Sequence, residues 1–334
     1  MFPKDIRLQI TPRCNQYCKH CFAASTSEVK SRVLTDEEVL WVVDQIAREG
    51  LQALSITGGE PLLRKELVFK ILSKFQGRST VITLNTNGWF LNEQLARQLK
   101  QLGLNIAQIS LDSVNSEKHD TFRGAKGSYD RAVQAIENCV NVGLKTHVRV
   151  TITSFNFDEM PELFKLVMNK NVHRLVVKPL IPSGRGGITS EKPNYEQHRK
   201  AIADLINQLE IHPNVPREYI QFLSPCFPFL INEEYTEYTE KCECGEGLAF
   251  ITANGDVKPC GYTHMILGNL RGTPLEKLWT ETPFLLKWRR TRLNEKCLTC
   301  EYAEICQGGC RAAAYETTGT LIHPDPLCWL EASK

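Results

Sequence analysis

From residue 5 to about 187 the chain alternates short apolar, β-branched runs with longer stretches whose apolar positions repeat every three to four residues. The short runs at 6–11, 53–57, 80–85, 106–112, 146–153 and 174–179 predict strands. The amphipathic stretches at 35–49, 65–75, 92–102, 129–142 and 158–169 predict helices between them. Thr35, with Glu38 three residues on, has the spacing of a capping box, and Gly103 and Gly143 stand where helices stop. Six such units predict an α/β fold with parallel strands and helices outside. Because a closed TIM barrel needs eight, the expectation is an open, partial (β/α)6 barrel with functional residues at the C-terminal ends of its strands.

Past the sixth strand the pattern changes. A polar Gly/Pro-containing stretch at 182–193 leads to a helix at 195–208 and then to a Pro-containing segment. Beyond about 220 short strands and loops carry most of the cysteines. The expected boundary falls at 212–225, giving a barrel over 1–215 and a smaller domain over 220–334. Of 334 residues, 42% are apolar and 23% charged, ordinary for a globular chain, and the net charge of +2 gives no argument for nucleic acid. No apolar run reaches the roughly 18 residues of a membrane span. The N-terminus lacks the layout of a secretory signal, so a cytoplasmic location is expected.

Thirteen cysteines need a chemical reason. In a reducing compartment clustered cysteines argue for metal rather than disulfides. Three lie between 14 and 21, one at 139 in a helical stretch, and nine between 226 and 328. Cys139 reads as a buried apolar residue. Cys14, Cys18 and Cys21, in a C-x3-C-x2-C loop directly after the first strand, deliver three thiolates and no fourth. Structural zinc wants four ligands, whereas a [4Fe–4S] cluster held by three keeps one iron open.

This loop, placed after the first strand of such a barrel, resembles the radical S-adenosylmethionine (SAM) enzymes. The resemblance implies a cluster whose open iron chelates the amino and carboxylate groups of SAM, and whose electron cleaves the sulfonium to a 5′-deoxyadenosyl radical. Gly58, Gly59 and Glu60, after the second strand, match the element that binds the methionyl amino group. Ser110 and Asp112, on one face of the fourth strand, correspond to candidates for the ribose hydroxyls, with a helix cap as the other reading. Arg123 matches the arginine that can pair with the SAM carboxylate. His20 stands where the family usually puts an aromatic beside adenine. His147, His173, His198, His212, His264 and His323 show no ligand spacing and read as structural or solvated.

The C-terminal cysteines resemble the SPASM extension of radical SAM enzymes, which carries two auxiliary [4Fe–4S] clusters. The resemblance implies three clusters in all. It gives Cys297, Cys300, Cys306 and Cys328 to an outer cluster, and Cys244, Cys260 and Cys310 to an inner one. Cys226 and Cys242 are both candidates for the fourth inner ligand. Cys226 is preferred because Cys242, one residue from Cys244, forms a cramped chelate.

SPASM enzymes mostly modify peptides or proteins, and some act on small molecules. The expected substrate is therefore a ribosomally made peptide. The cluster loop begins by residue 14, ahead of which no winged-helix leader-binding domain is expected, so either a separate leader-binding protein presents the peptide, the preferred reading, or the substrate needs no leader. The expected reductant is a flavodoxin or ferredoxin. A haem- or cofactor-pathway decarboxylase or maturase is the alternative, and a non-enzymatic zinc or iron–sulfur scaffold a third. Lys178 and Arg185, near the end of the sixth strand, are candidates to hold an anionic substrate or else are solvated.

Overall fold

Six parallel strands pair in sequence order in the computed structural model, which describes residues 2–28, 32–223, 227–236, 242–290, 295–328 and 330. They are β1 (Asp5–Gln9), β2 (Ala53–Thr57), β3 (Val81–Thr86), β4 (Ile106–Ser110), β5 (Lys145–Ile152) and β6 (Arg174–Pro179). Helices α1 (Asp36–Arg48), α2 (Lys65–Lys74), α3 (Glu93–Gln101), α4 (Ser116–Arg123), α5 (Ser128–Asn141) and α6 (Met160–Asn169) connect them. The alternation of the sequence is thus the alternation of a partial TIM-like barrel. The short helix α4, which carries His119 and Arg123, has no counterpart in the sequence reading. Its apolar positions are too few to show a period.

Local chemistry fixes the elements. The Thr35 hydroxyl accepts from the Glu38 N–H and the Glu38 carboxylate accepts from the Thr35 N–H, which closes the capping box at the start of α1. The opposite face of α1 buries Val39, Val42, Val43 and Ile46 in the core. Each such side chain contributes roughly 1.5–3 kcal/mol on leaving water. Along the strands the two-residue period separates faces. Ile6 and Leu8, Leu54 and Ile56, and Ala107 and Ile109 are fully buried. Arg7, Ser55, Asn85, Gln108 and Arg149 alternate with buried neighbours as partly exposed polar positions, and Gln108 donates to the Asn85 side chain at 2.6 Å.

The sheet continues past both edges of the six strands. After α7 (Arg185–Ile188) and α8 (Tyr195–Ile211), β7 (Ile220–Phe222) pairs in parallel with β6. It falls inside the segment where the sequence placed a boundary. At the other edge β8 (Leu248–Ile251) pairs in parallel with β1, followed by antiparallel β9 (Asp256–Lys258) and β10 (Gly268–Asn269). The Ala253 N–H donates to the Gln9 side chain at 3.1 Å. This stitching brings Cys244 and Cys260 close to Arg7 on β1. The remaining helices are α9 (Leu275–Glu281), α10 (Pro283–Arg290), α11 (Glu295–Leu298), α12 (Ala303–Cys306) and α13 (Arg311–Thr318). Among the described residues no helix is long and apolar enough to cross a membrane.

Candidate active site

Cys14, Cys18 and Cys21 lie on the loop leaving β1, whose backbone is held from three directions. From the β2 end, the Gly59 N–H donates to the Thr11 carbonyl at 2.7 Å and the Glu60 N–H to the Arg13 carbonyl at 2.8 Å. From α4, the Arg123 and Phe122 carbonyls accept from the N–H groups of Tyr17 and Lys19 at 2.9 and 3.0 Å. From the β6 end, Arg185 donates its backbone N–H to the Cys21 carbonyl at 3.0 Å. Its guanidinium donates to the carbonyls of Cys18 and Ser25 at 2.8 and 2.9 Å and lies 3.9 Å above the Tyr17 ring.

Two glycines make these approaches possible. A Cβ on Gly59 would stand 2.1 Å from the Arg13 carbonyl oxygen. Gly184 has φ +56°, and a Cβ there would stand 2.2 Å from the Phe22 carbonyl oxygen. The role of Arg185 is thereby fixed. It is spent on the cysteine loop, and of the two cations near the end of β6 only Lys178 faces the barrel interior, where it meets Tyr262.

The three thiols sit in one another's electrostatic field. Burial pushes the Cys14 thiol up to about 12, and burial likewise raises that of Cys18. Buried thiols that repel one another as thiolates need a cation to hold them ionised, and cluster iron supplies one. Arg123 helps, donating toward the Cys18 sulfur at 3.7 Å. Asn87 reaches the Cys14 sulfur at 3.9 Å and the Asn15 side chain at 2.8 Å. In the sequence the Asn85-Thr86-Asn87-Gly88 run reads as a turn that commonly accompanies the radical SAM motifs, and its reach to the Cys14 sulfur shows only in the fold.

The SAM-associated residues gather around this loop. Glu60 is fully buried and accepts from the Leu62 N–H, the Thr86 hydroxyl and the Asn87 N–H at 3.0, 2.8 and 2.8 Å. Burial pushes its carboxyl up to about 7, against those three donors. Asp112 and Arg123, both buried, form an ion pair, and Asp112 also accepts from the Thr151 N–H at 3.0 Å. Burial alone would raise the Asp112 carboxyl, but the Arg123 guanidinium beside it, helped by the Thr151 N–H, holds it below its ordinary value.

The His20 ring stacks on Phe122 at 4.7 Å and 5°, and Phe122 packs on Phe155 at 4.2 Å. Burial pushes His20 down to about 3, so it is a neutral aromatic at working pH. Ser110, the last residue of β4, is partly exposed two residues before Asp112. His20 Nδ1 and Arg123 Nε are buried without a hydrogen-bond partner. Unpaired buried polar atoms beside an aromatic stack fit a ligand carrying both a heterocycle and polar groups, as SAM does.

The C-terminal thiols fall into two sets. The thiols of Cys242, Cys244 and Cys260 meet through side-chain hydrogen bonds, and Cys310 lies in the field of Cys242 and Cys260. The hydrogen bond from Cys244 pulls the Cys242 thiol down to about 7 against burial, with Arg311 and Arg7 adding to it. The spacing that looked cramped is accommodated by a tight turn, in which the Glu246, Gly247 and Leu248 N–H groups all donate to the Glu243 carbonyl. Trp288 and Arg289 on α10 anchor that turn through the carbonyls of Cys244 and Gly245, each at 2.8 Å. Cys226 lies outside the described residues.

The second set, Cys297, Cys300, Cys306 and Cys328, lines an open hollow of about 400 Å³ walled by Phe227, Phe229 and Tyr302. Burial pushes the Cys306 thiol up to about 12, with Asp325, Cys328 and Cys297 adding to it. The described cysteines form no disulfide. Among the described residues no three His, Cys, Asp or Glu side chains close on one point as ligands of a single ion. Cys139 is fully buried within the core, as expected.

Residues 8–167 match the radical SAM superfamily, and residues 242–301 match the SPASM iron–sulfur cluster-binding domain. The chain is 31% identical to the AdoMet-dependent heme synthase of Methanosarcina barkeri, over 98% of this chain and 96% of that one. It is 30% identical to the pre-heme d1 synthase of Dinoroseobacter shibae, over 99% and 88%. The crystal structure of Streptococcus suis SuiB bound to precursor peptide SuiA superimposes with a TM-score of 0.77 at 20% identity, covering 98% of this chain and 76% of that one.

The protein belongs to the radical SAM superfamily and carries a SPASM domain. It is a radical SAM enzyme that works with iron–sulfur clusters and SAM. The expectation of a ribosomal peptide as substrate is overturned. The relatives matched at 30–31% identity are heme and pre-heme d1 synthases, a PqqA peptide cyclase matches over the same length at a lower 25%, and the likeness to a peptide-bound structure, at 20% identity, is one of fold. The peptide preference came from what is commonest among SPASM enzymes, and fold does not carry substrate.

Proposed function

We propose that the protein performs radical SAM chemistry on a small molecule of the tetrapyrrole class, as a synthase or decarboxylase of haem type. The observation that carries this reading is the end-to-end similarity to the heme and pre-heme d1 synthases. It spans the barrel interior as well as the cluster motifs.

In this reading residues 1–215 form the SAM-cleaving barrel and 220–334 the auxiliary-cluster domain. Cys14, Cys18 and Cys21 hold the SAM-site cluster. Cys242, Cys244, Cys260 and Cys310 hold the inner auxiliary cluster, a choice of Cys242 over Cys226 supported by its contact with Cys244. Cys297, Cys300, Cys306 and Cys328 hold the outer one, for three clusters in all. When bound and reduced by a flavodoxin- or ferredoxin-type donor, the SAM-site cluster supplies the electron that breaks a carbon–sulfur bond of SAM and starts radical chemistry.

The chain's own contribution is placement. Gly59, Glu60, Gly184 and Arg185 fix the cysteine loop. Gly58, Gly59 and Glu60 present the methionyl amino subsite, Arg123 the carboxylate subsite, and Ser110 with Asp112 the ribose subsite. Neutral His20 offers its ring face to adenine. Arg7 and Arg311 offset the negative charge of thiolates at the inner site. The free thiols of the described cysteines suit a reducing cytoplasm.

The test is anaerobic reconstitution followed by incubation with SAM and dithionite. The reading expects roughly twelve irons per chain, from three four-iron clusters. It also expects 5′-deoxyadenosine, formed faster when an iron porphyrin carrying carboxylates is present. Replacing Cys14, Cys18 and Cys21 together by Ala should abolish the nucleoside and keep about two thirds of the iron. Nucleoside from that variant would overturn the cluster assignment.

A further inference from the structure

Two cations that the SAM site does not use meet at one phenol inside the barrel, Lys178 buried and Arg149 partly exposed. Lys178 on β6 is 7% exposed, and its ammonium donates to the Tyr262 hydroxyl at 2.9 Å while standing 4.6 Å from that ring's centre. Arg149, on the adjacent strand β5, donates through Nη2 to the same oxygen at 2.9 Å. A phenol oxygen therefore receives two cationic donors, and neither cation is ion-paired with a carboxylate among the described residues. The acid whose field reaches Lys178, Asp112, is already paired with Arg123. Taking unpaired charge out of water is costly, and sites that keep it are candidates for binding a counter-charge.

The position is informative as well. Tyr262 lies edge-on to Phe22, the residue after Cys21, at 4.9 Å, and its N–H donates to the Cys260 sulfur at 3.5 Å. The cation pair thus lies between the SAM-site cysteine loop and the inner auxiliary thiols, where a substrate carbon has to be held. We propose that Lys178 and Arg149 form a carboxylate anchor inside the barrel, which takes one carboxylate side chain of the substrate and shares or displaces the Tyr262 hydroxyl. Two converging N–H donors of positive charge match the two oxygens of a carboxylate. This deepens the tetrapyrrole reading and rests on it, because the propionate groups of a porphyrin are the carboxylates concerned.

The test titrates the reconstituted full chain with iron coproporphyrin III, which bears four propionates, and with its tetramethyl ester, following the porphyrin absorption band. The anchor predicts at least ~30-fold weaker binding of the acid by Lys178→Met and by Arg149→Gln. It predicts that the ester binds weakly and is insensitive to either change. Two variants guard against one that fails to fold. In Tyr262→Phe the cations lose their competitor, so the acid should bind as tightly as to wild type or tighter. Loss there as large as in Lys178→Met would mean that Lys178 only positions Tyr262, and would overturn the anchor.

Equal affinity of wild type and both cation variants for the acid would overturn the anchor and leave the tetrapyrrole reading standing. Failure of wild type to bind either porphyrin would overturn that reading instead. The anchor would then be judged on glutarate. A rise in melting temperature with glutarate that Lys178→Met loses would uphold it, and no rise in wild type would overturn it.

Discussion

The Arg185 guanidinium, at the start of α7, donates to the main-chain carbonyl of Cys18, 167 residues earlier, at 2.8 Å. It does the same for Ser25 and stacks on Tyr17, so a residue from the far end of the barrel fixes the loop that carries the first three cysteines. Lysine, with a single point of donation, cannot reproduce a planar fork that serves two carbonyls and an aromatic face.

Arg185→Lys should therefore behave almost as badly as Arg185→Ala. Both should lower stability by about 2–4 kcal/mol, the range for breaking a buried hydrogen-bonded cation's contacts. Both should also speed loss of the SAM-site cluster in air. The check is thermal melting together with the decay of cluster absorbance after exposure to oxygen. A Lys variant matching wild type in both would show that the clamp is incidental.

Gly59→Ala should displace the cysteine loop, because the added Cβ would meet the Arg13 carbonyl oxygen at 2.1 Å. A backbone atom cannot yield as a side chain can. Iron content should fall by roughly a third while the auxiliary clusters remain, and 5′-deoxyadenosine formation should drop by at least ~100-fold. Iron analysis and nucleoside quantification read both. Full iron with full activity would place the loop's support elsewhere.

At the inner auxiliary site, Cys242→Ala should alter the electron paramagnetic resonance signal of one auxiliary cluster and leave SAM cleavage without substrate within about twofold. The same change at Cys226 should leave all three signals as they were. The opposite pattern would give the fourth position to Cys226.

His198, in α8, is fully buried, and burial pushes it down to about 4 from 6.5. The unfolded chain therefore binds more protons than the folded one between these values. Stability is fully present above pH 6.5 and is lost as pH falls toward 4. The loss has an upper bound of about 3 kcal/mol, at 1.36 kcal/mol per pH unit. Melting temperatures at pH 7.5 and 5.5 should diverge for wild type, and the gap should narrow in His198→Met. An unchanged gap would mean that other groups carry the acid sensitivity.

Much of this was legible in the sequence because it rests on periodicity. The 53–57 and 174–179 strands have the bounds read from the sequence, and the others shift by one or two residues at their ends. The three-stranded extension from β8 to β10 was not legible as part of the barrel sheet. Its pairing with β1 joins segments some 240 residues apart, and short strands carry little pattern. Spacing and resemblance suggested groupings of the cysteines, but the contact between the Cys242 and Cys244 thiols depends on local backbone conformation that spacing does not show. Arg185 read as either a substrate-facing or a solvated cation because its proximity to the end of β6 was visible and its carbonyl partners were not. Lys178 and Arg149 share an interior face that strand parity allows, and only Tyr262, from the far domain, makes them one site.

The most direct test of the central claim is one anaerobic reaction of the reconstituted protein with SAM, dithionite and iron coproporphyrin III, analysed by mass for both nucleoside and porphyrin. The account predicts 5′-deoxyadenosine formed several-fold faster with the porphyrin than without it, and a new porphyrin mass that requires both SAM and the Cys14–Cys18–Cys21 site. Nucleoside formation indifferent to the porphyrin, with the porphyrin mass unchanged, would contradict it.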